Sequence, residues 1–353
     1  MRSWGLWKSK ALIASTLGLM LGLNGVASTN RLCEGFLPAN DMKIPVGDHS
    51  HFGIRNNGGI TEAQYNQIMD RIQALYGDVV KQRGGNLVIN RLWNDSTVNS
   101  SAEQQGSNWI INMYGGIARH PDITFEGEAL VACHEMGHHL GGAPKIQSIF
   151  GGAWATNEGG ADYFATIKCL KLFFASDDNA AILAGMTIDP LVQSKCTAQF
   201  SNPTDQNLCL RISKSSESVS YLFQDLSKES TRPQFSTPDQ TKVSKTNDDH
   251  PATQCRMDTY FAGSICPVAV TVPNSDTDFK AGSCVEGTDP AGFRPRCWFN
   301  PDTASNPGNP GNPGDPGNPG NPGDPSSCPV GDESLCQALC QFDPTLPFCK
   351  TVF

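Results

Sequence analysis

The chain has 353 residues, with 26 Lys+Arg against 35 Asp+Glu and a formal net charge of −9. That acidic balance argues against nucleic acid and anionic membrane surfaces as partners. The 13 cysteines fit an oxidising compartment rather than a reducing one.

Residues 1–28 read as an export signal. Arg2, Lys8 and Lys10 form a basic start, and no charge follows from Ala11 through Asn30. The apolar run Ala11–Leu23 is too short for a membrane span, and Val26-Ala27-Ser28 offers small residues for cleavage. Leu32 before Cys33 argues against a lipoprotein anchor. Loss of three basic residues leaves 23 Lys+Arg against 35 Asp+Glu, so the mature chain is more acidic still. It is expected to be secreted, periplasmic or at the cell surface, without membrane attachment. Every cysteine lies beyond the signal and reads as structural, with connectivity open and an odd total leaving one thiol over.

Residues 31–60 are mixed and glycine-rich, and His49 and His51 read as surface polar groups. A helix is predicted over 61–82, capped by Thr61, with Ile68, Ile72, Leu75 and Val79 as its apolar stripe and Gly84-Gly85 as its stop. Two β-type runs follow, 86–93 and 108–114, separated by a polar turn. His120 falls in the next connection, outside any metal shell.

The segment Val131–Gly142 contains His134-Glu135-x-x-His138. Four residues advance a helix by about 400°, so the two imidazoles share a face and reach one ion. Glu135 lies beside that face, where a carboxylate can take the proton of a metal-activated water. Leu130, Cys133, Gly137 and Leu140 form a second, core-facing stripe. Asp122 or Thr124 is placed to cap this helix and Gly141 to end it with a left-handed turn. Downstream, Glu158 and Asp162 stand one turn apart on another helix whose inward line continues through Ala165 and Cys169. A two-His zinc site needs a third protein ligand, which a carboxylate suits, and a further carboxylate fixes a ligand imidazole's tautomer.

This pattern resembles the gluzincin peptidases, and Glu158 lies 20 residues beyond His138, a spacing similar to that of thermolysin. The Glu-x-x-Ala-Asp form is also similar to the HtpX-like and prenyl-protein (CAAX) zinc proteases. The resemblance implies His134, His138 and Glu158 as ligands of one catalytic Zn²⁺, Glu135 as general base and Asp162 as the partner of His134. It also implies an exposed edge strand over residues 109–116 that binds the substrate backbone, with Asn112, Met113 and Tyr114 at its centre. Pro144 stands where a metzincin carries its third ligand.

Val219, Leu222, Phe223 and Leu226 predict a helix over 213–228, followed by a long polar loop to residue 249. Pro251 suits the first helical position and puts His250 near an N-cap. His-Pro with Arg256 six residues beyond the His resembles the HtpX-like and prenyl-protease motif. There the His donates to the substrate or the tetrahedral oxyanion, so His250 is the expected donor and Arg256 its positioner or a salt-bridge partner. Residues 301–327, with their Asn/Asp-Pro-Gly repeat, read as a solvated spacer. Residues 328–353 carry four cysteines and read as a disulfide-held tail that binds a surface or substrate, or is inert.

The expected fold class is α+β: a zincin-like catalytic domain over 29–300, with helix, twisted sheet and active-site helix preceding a mainly helical half. The expected function is an exported, monomeric zinc endopeptidase acting on protein or peptide substrates. Its rivals are a non-proteolytic, metal-bound binding protein and a zinc amidase acting on cell-wall cross-links.

Overall fold

Helix α1 (Glu62–Gln82) forms where the sequence predicts it. Thr61 and Gln64 make a reciprocal capping box, and Gly84 leaves the helix with φ +78°. Its buried face includes Ile68, Ile72, Leu75 and Val79, each side chain contributing about 1.5–3 kcal/mol by leaving water. This is a computed structural model, and it describes residues 35–47, 59–146 and 154–304. The export signal, Cys33, His49 and His51, the repeat beyond residue 304 and the 328–353 tail lie outside the described residues.

Strands β1 (Asn86–Leu92), β2 (Ser100–Gln105) and β3 (Asn108–Tyr114) form a three-stranded sheet in the order β1-β3-β2. β3 runs parallel to β1, with Ile89 opposite Ile111, and antiparallel to β2, with Ala102 opposite Ile111. The turn Gly106-Ser107 closes the β2–β3 hairpin, with Gly106 at φ +60°. This corrects the edge-strand expectation. Asn112, Met113 and Tyr114 sit on the central strand, Asn112 and Met113 paired on both sides and Tyr114 with Leu92 of β1, so the strand is not a free edge for a substrate. The edges belong to β1 and β2, and β2 occupies the stretch expected to be a polar turn.

A short turn, α2 (Gly115–Ala118), leads to α3 (Phe125–Leu140). Thr124 rather than Asp122 caps α3, its hydroxyl accepting from the Gly127 N–H at 3.1 Å. Gly141 stays right-handed at φ −70°, and Gly142 at φ +75° takes the left-handed turn. Every α3 residue from Glu126 to Leu140 is buried, so the helix is the core's axis rather than a one-faced surface helix.

Helix α4 (Glu158–Phe164) is capped by Asn157 and continues through a π-helical turn, 165–169, into α5 (Leu170–Phe173). α6 (Asn179–Leu183), α7 (Pro190–Gln199), α8 (Pro203–Ser227) and α9 (Thr253–Ile265) complete the C-terminal half. α8 begins ten residues before the predicted start, because Asn202 caps it and Pro203 fits its first turn. Residues 229–249 hold no helix or strand, as expected. Residues 301–304 are not spacer: Thr303 accepts from the Thr246 N–H, and Ala304 is buried. Disulfides Cys133–Cys169, Cys196–Cys209, Cys255–Cys297 and Cys266–Cys284 concentrate toward the C-terminal side. The described chain is therefore α+β with a disulfide-rich C-terminal region.

Candidate metal centre

α3 and α4 meet closely because Gly137 has no side chain. A Cβ there would lie 2.7 Å from the Ala161 carbonyl oxygen and 2.8 Å from its Cα. The Thr156 N–H donates to the His138 carbonyl at 2.9 Å, tying the end of α3 to the approach to α4. The Cys133–Cys169 bond joins the residue before His134 to the π turn after α4.

This packing brings His134, His138 and Glu158 together, with their ligand atoms within 4.8 Å of one another. His134 Nε2 stands 3.3 Å from Glu158 Oε2, and His138 Nε2 stands 3.6 Å from Glu158 Oε1. Two ligand atoms about 2.1 Å from a tetrahedral ion stand about 3.4 Å apart, so the spacing suits one zinc-sized cation.

The hydrogen-bond roles point the same way. His138 Nδ1 lies 2.8 Å from the Thr156 carbonyl, which only accepts, so Nδ1 carries the proton. His134 Nδ1 likewise donates to Asp162 Oδ1 at 2.7 Å. In the neutral rings both Nε2 atoms are then bare lone pairs aimed at a carboxylate. Both are buried without a hydrogen-bond partner, as is Glu158 Oε2. Three convergent acceptors with no donor among them fit a bound cation.

In the absence of an ion, the same carboxylates favour a proton where a cation would sit. Burial pushes His134 down, but the Asp162 and Glu158 carboxylates outweigh it and hold the imidazole at about 9. Positive charge is therefore favoured at this point. Burial lowers His138 to about 4, leaving it neutral at pH 7 and able to offer its lone pair. Glu158 is lowered to about 2: burial would raise it, but His138 and His134 prevail.

Around this cluster stands a buried polar cage. Asp162 is bridged by Arg256, with Nε 2.8 Å from Oδ2 and Nη2 2.7 Å from Oδ1. The Tyr260 hydroxyl donates to Asp162 Oδ1 at 2.7 Å. Burial opposes ionisation of Asp162, yet Arg256 and His134 hold the carboxyl well below its ordinary range. Arg256 is thus a salt-bridge partner of Asp162 rather than a direct contact of His250.

Glu135 has one oxygen, Oε1, accepting from the Ser100 hydroxyl at 2.5 Å, while Oε2 has no partner. Burial raises this carboxyl to about 7, only partly opposed by His134 and Ser100. His250 Nε2 lies 3.5 Å from Glu158 Oε2 and donates to the Gly35 carbonyl at 2.7 Å. Its position departs from expectation: α9 is capped by Ala252, so Pro251 precedes the cap and His250 lies on the approach to the helix. His120 is remote from the cluster, its Nε2 3.1 Å from Asp225.

Ser100, Thr156 and Tyr260 were not anticipated from the sequence. Tyr260 had a signal, lying one helical turn after Arg256; Ser100 and the Thr156 carbonyl had none. No family model matches the chain, and neither a curated protein nor a solved structure matches it.

Proposed function

We propose that the protein is an exported zinc-dependent endopeptidase with a zincin-like catalytic domain. The observation that carries this reading is the convergence of the His134, His138 and Glu158 ligand atoms beside Glu135, a buried carboxylate with a free oxygen. His134 Nε2, His138 Nε2 and Glu158 would hold the ion. A zinc ion bound there supplies a Lewis acid that polarises a carbonyl and brings the pKa of water toward about 7.

The chain's own groups supply the rest. Glu135, raised to about 7, is poised to take a proton at Oε2 and pass it to the leaving amine. Ser100 holds the other oxygen, so the free one faces a fixed direction. His250 Nε2–H donates to a carbonyl oxygen as negative charge develops on it. Asp162, braced by Arg256 and Tyr260, keeps His134 in the tautomer that leaves Nε2 free. Four disulfides among the described residues support an oxidising location.

The test is casein hydrolysis by refolded, disulfide-bonded protein, with and without chelator, beside Glu135→Gln at matched zinc content. One zinc per chain and chelator-sensitive cleavage that falls about 10²–10⁴-fold in Glu135→Gln are the expected results. Correctly folded protein that binds no zinc overturns the reading. Zinc binding without cleavage of casein or of a peptide library favours a specialised substrate, a latent form or the binding-protein rival.

A further inference from the structure

Residues Gly35–Ile44 run antiparallel beside the segment leading into β2. The Phe36 N–H donates to the Ser100 carbonyl at 3.0 Å, Val98 N–H to Met42 at 3.3 Å, and Ile44 N–H to Ser96 at 2.8 Å. Lys43 pairs opposite Thr97. The Asn99 side chain clasps Leu37 by both backbone groups, accepting its N–H at 2.9 Å and donating to its carbonyl at 3.2 Å.

The near end of this strap lies over the cluster. The Gly35 carbonyl takes the His250 Nε2–H at 2.7 Å, and the Phe36 carbonyl takes Arg256 Nη1–H at 2.7 Å. The Phe36 ring stands edge-on to His134 at 4.9 Å, tilts against Phe223 at 5.1 Å and lies 4.7 Å from the Arg256 guanidinium carbon. Gly35 has φ +110°, and a Cβ there would lie 2.8 Å from the Ser100 carbonyl oxygen, so the close approach needs glycine. His134, Glu135 and His138 are each 0% exposed beneath this region. Yet the strap is not packed throughout. A cavity of about 420 Å³ lies between it and α8, lined by Asn40, Met42, Phe223, Leu226, His250 and Pro251. Pro38, Ala39, Asp41 and Lys43 are exposed.

We propose that Gly35–Ile44 is a self-inhibitory strap that occupies, as an extended strand, the groove along residues 96–100 where a peptide substrate binds, and that it must swing out before substrate enters. The identity of the incoming peptide as substrate rests on the peptidase reading; the displacement does not. The strap satisfies His250 and Arg256 with successive carbonyls, as an extended peptide would. Phe36 fills an apolar niche that an incoming side chain would refill, so opening exchanges one buried ring for another group.

The test uses the full chain and a fluorescein-labelled peptide of residues 35–44, read by fluorescence polarisation. Phe36→Ala empties the niche of the strap's own ring and leaves the groove residues 96–100 unchanged. The paired variant Lys43→Cys/Thr97→Cys, oxidised, staples the strap shut. These two positions form a non-hydrogen-bonded antiparallel pair, whose Cα separation of about 4.5 Å a disulfide can span. Loss of the strap's own buried ring, which the peptide still carries, is expected to tighten apparent peptide binding about 30-fold in Phe36→Ala relative to wild type. The stapled protein is expected not to bind. Equal binding by wild type, Phe36→Ala and the stapled protein overturns the proposal, as does absence of binding by Phe36→Ala. Casein assays on the same proteins separate the two readings. Peptide binding in the expected order with no cleavage by any of them sustains the strap and overturns the peptidase. Equal cleavage by all three overturns the strap alone.

Discussion

Glu128, in the first turns of α3, is completely buried, and neither carboxylate oxygen has a hydrogen-bond partner. The nearby Tyr65 hydroxyl offers no relief, because it donates to the Met113 carbonyl at 2.7 Å. Burial therefore raises this carboxyl from 4.5 to about 8. The folded state holds the proton more tightly than the unfolded state, so the associated stability is complete below pH 4.5 and lost as pH rises to about 8. At about 1.4 kcal/mol per pH unit, the whole span is worth about 5 kcal/mol, and the interval from pH 5.5 to 7.5 about 3 kcal/mol. These are ceilings, since the positive end of α3 favours the anion. Glu128→Gln keeps the shape and removes the titration. Urea unfolding followed by tryptophan fluorescence, with disulfides intact, at pH 5.5, 6.5 and 7.5 measures the difference between the two proteins. The variant's relative stability is expected to climb by up to about 3 kcal/mol across that range. A difference that does not change with pH refutes the reasoning, because it would mean that the carboxyl is not neutral when folded.

Gly137→Ala should push α4 away from α3, since its Cβ would lie 2.7 Å from the Ala161 carbonyl. Overpacking of this kind costs about 1–3 kcal/mol, and calorimetric zinc titration should show weaker binding beyond the loss in thermal stability. Asp162→Asn removes the anion that compensates Arg256, which is 1% exposed. Leaving that guanidinium unpaired should cost about 3–5 kcal/mol in chemical unfolding. Zinc affinity should fall about 10–100-fold as His134 loses its anchor. Unchanged affinity in a folded variant would show that Asp162 does not position His134.

Much of the cluster was legible because its spacing is local. His134 and His138, and again Glu158 and Asp162, need only a helix to share a face. The sheet was not legible in the same way. Ser100–Gln105 reads Ser-Ser-Ala-Glu-Gln-Gln, without apolar alternation, because only Ser100 and Ala102 of that strand are buried. Its strand conformation comes from pairing with β3, a tertiary effect that local propensity does not encode. The edge role of β3 came from the family resemblance, and nothing local signalled the β2 that pairs with it. The apolar residues after Ser213 marked the second half of α8, while the Asn202-Pro203 start signal lay outside that stripe. The strap has neither period: Phe36, Leu37 and Ile44 are anchored by particular neighbours, and the polar residues between them carry no pattern.

The Cys133–Cys169 bond has a consequence for where the protein works. It connects the helix bearing both imidazoles to the π turn that extends the helix bearing Glu158 and Asp162, one residue from His134. Oxidation of that pair and alignment of the three ligands thus become parts of the same folding event. While the thiols are reduced, the helices bearing His134, His138, Glu158 and Asp162 lack their covalent tie, and the cluster is less firmly assembled. Crossing into an oxidising space fastens it. Under the proposed hydrolase reading, redox chemistry would then hold the site in check, a safeguard independent of any strap.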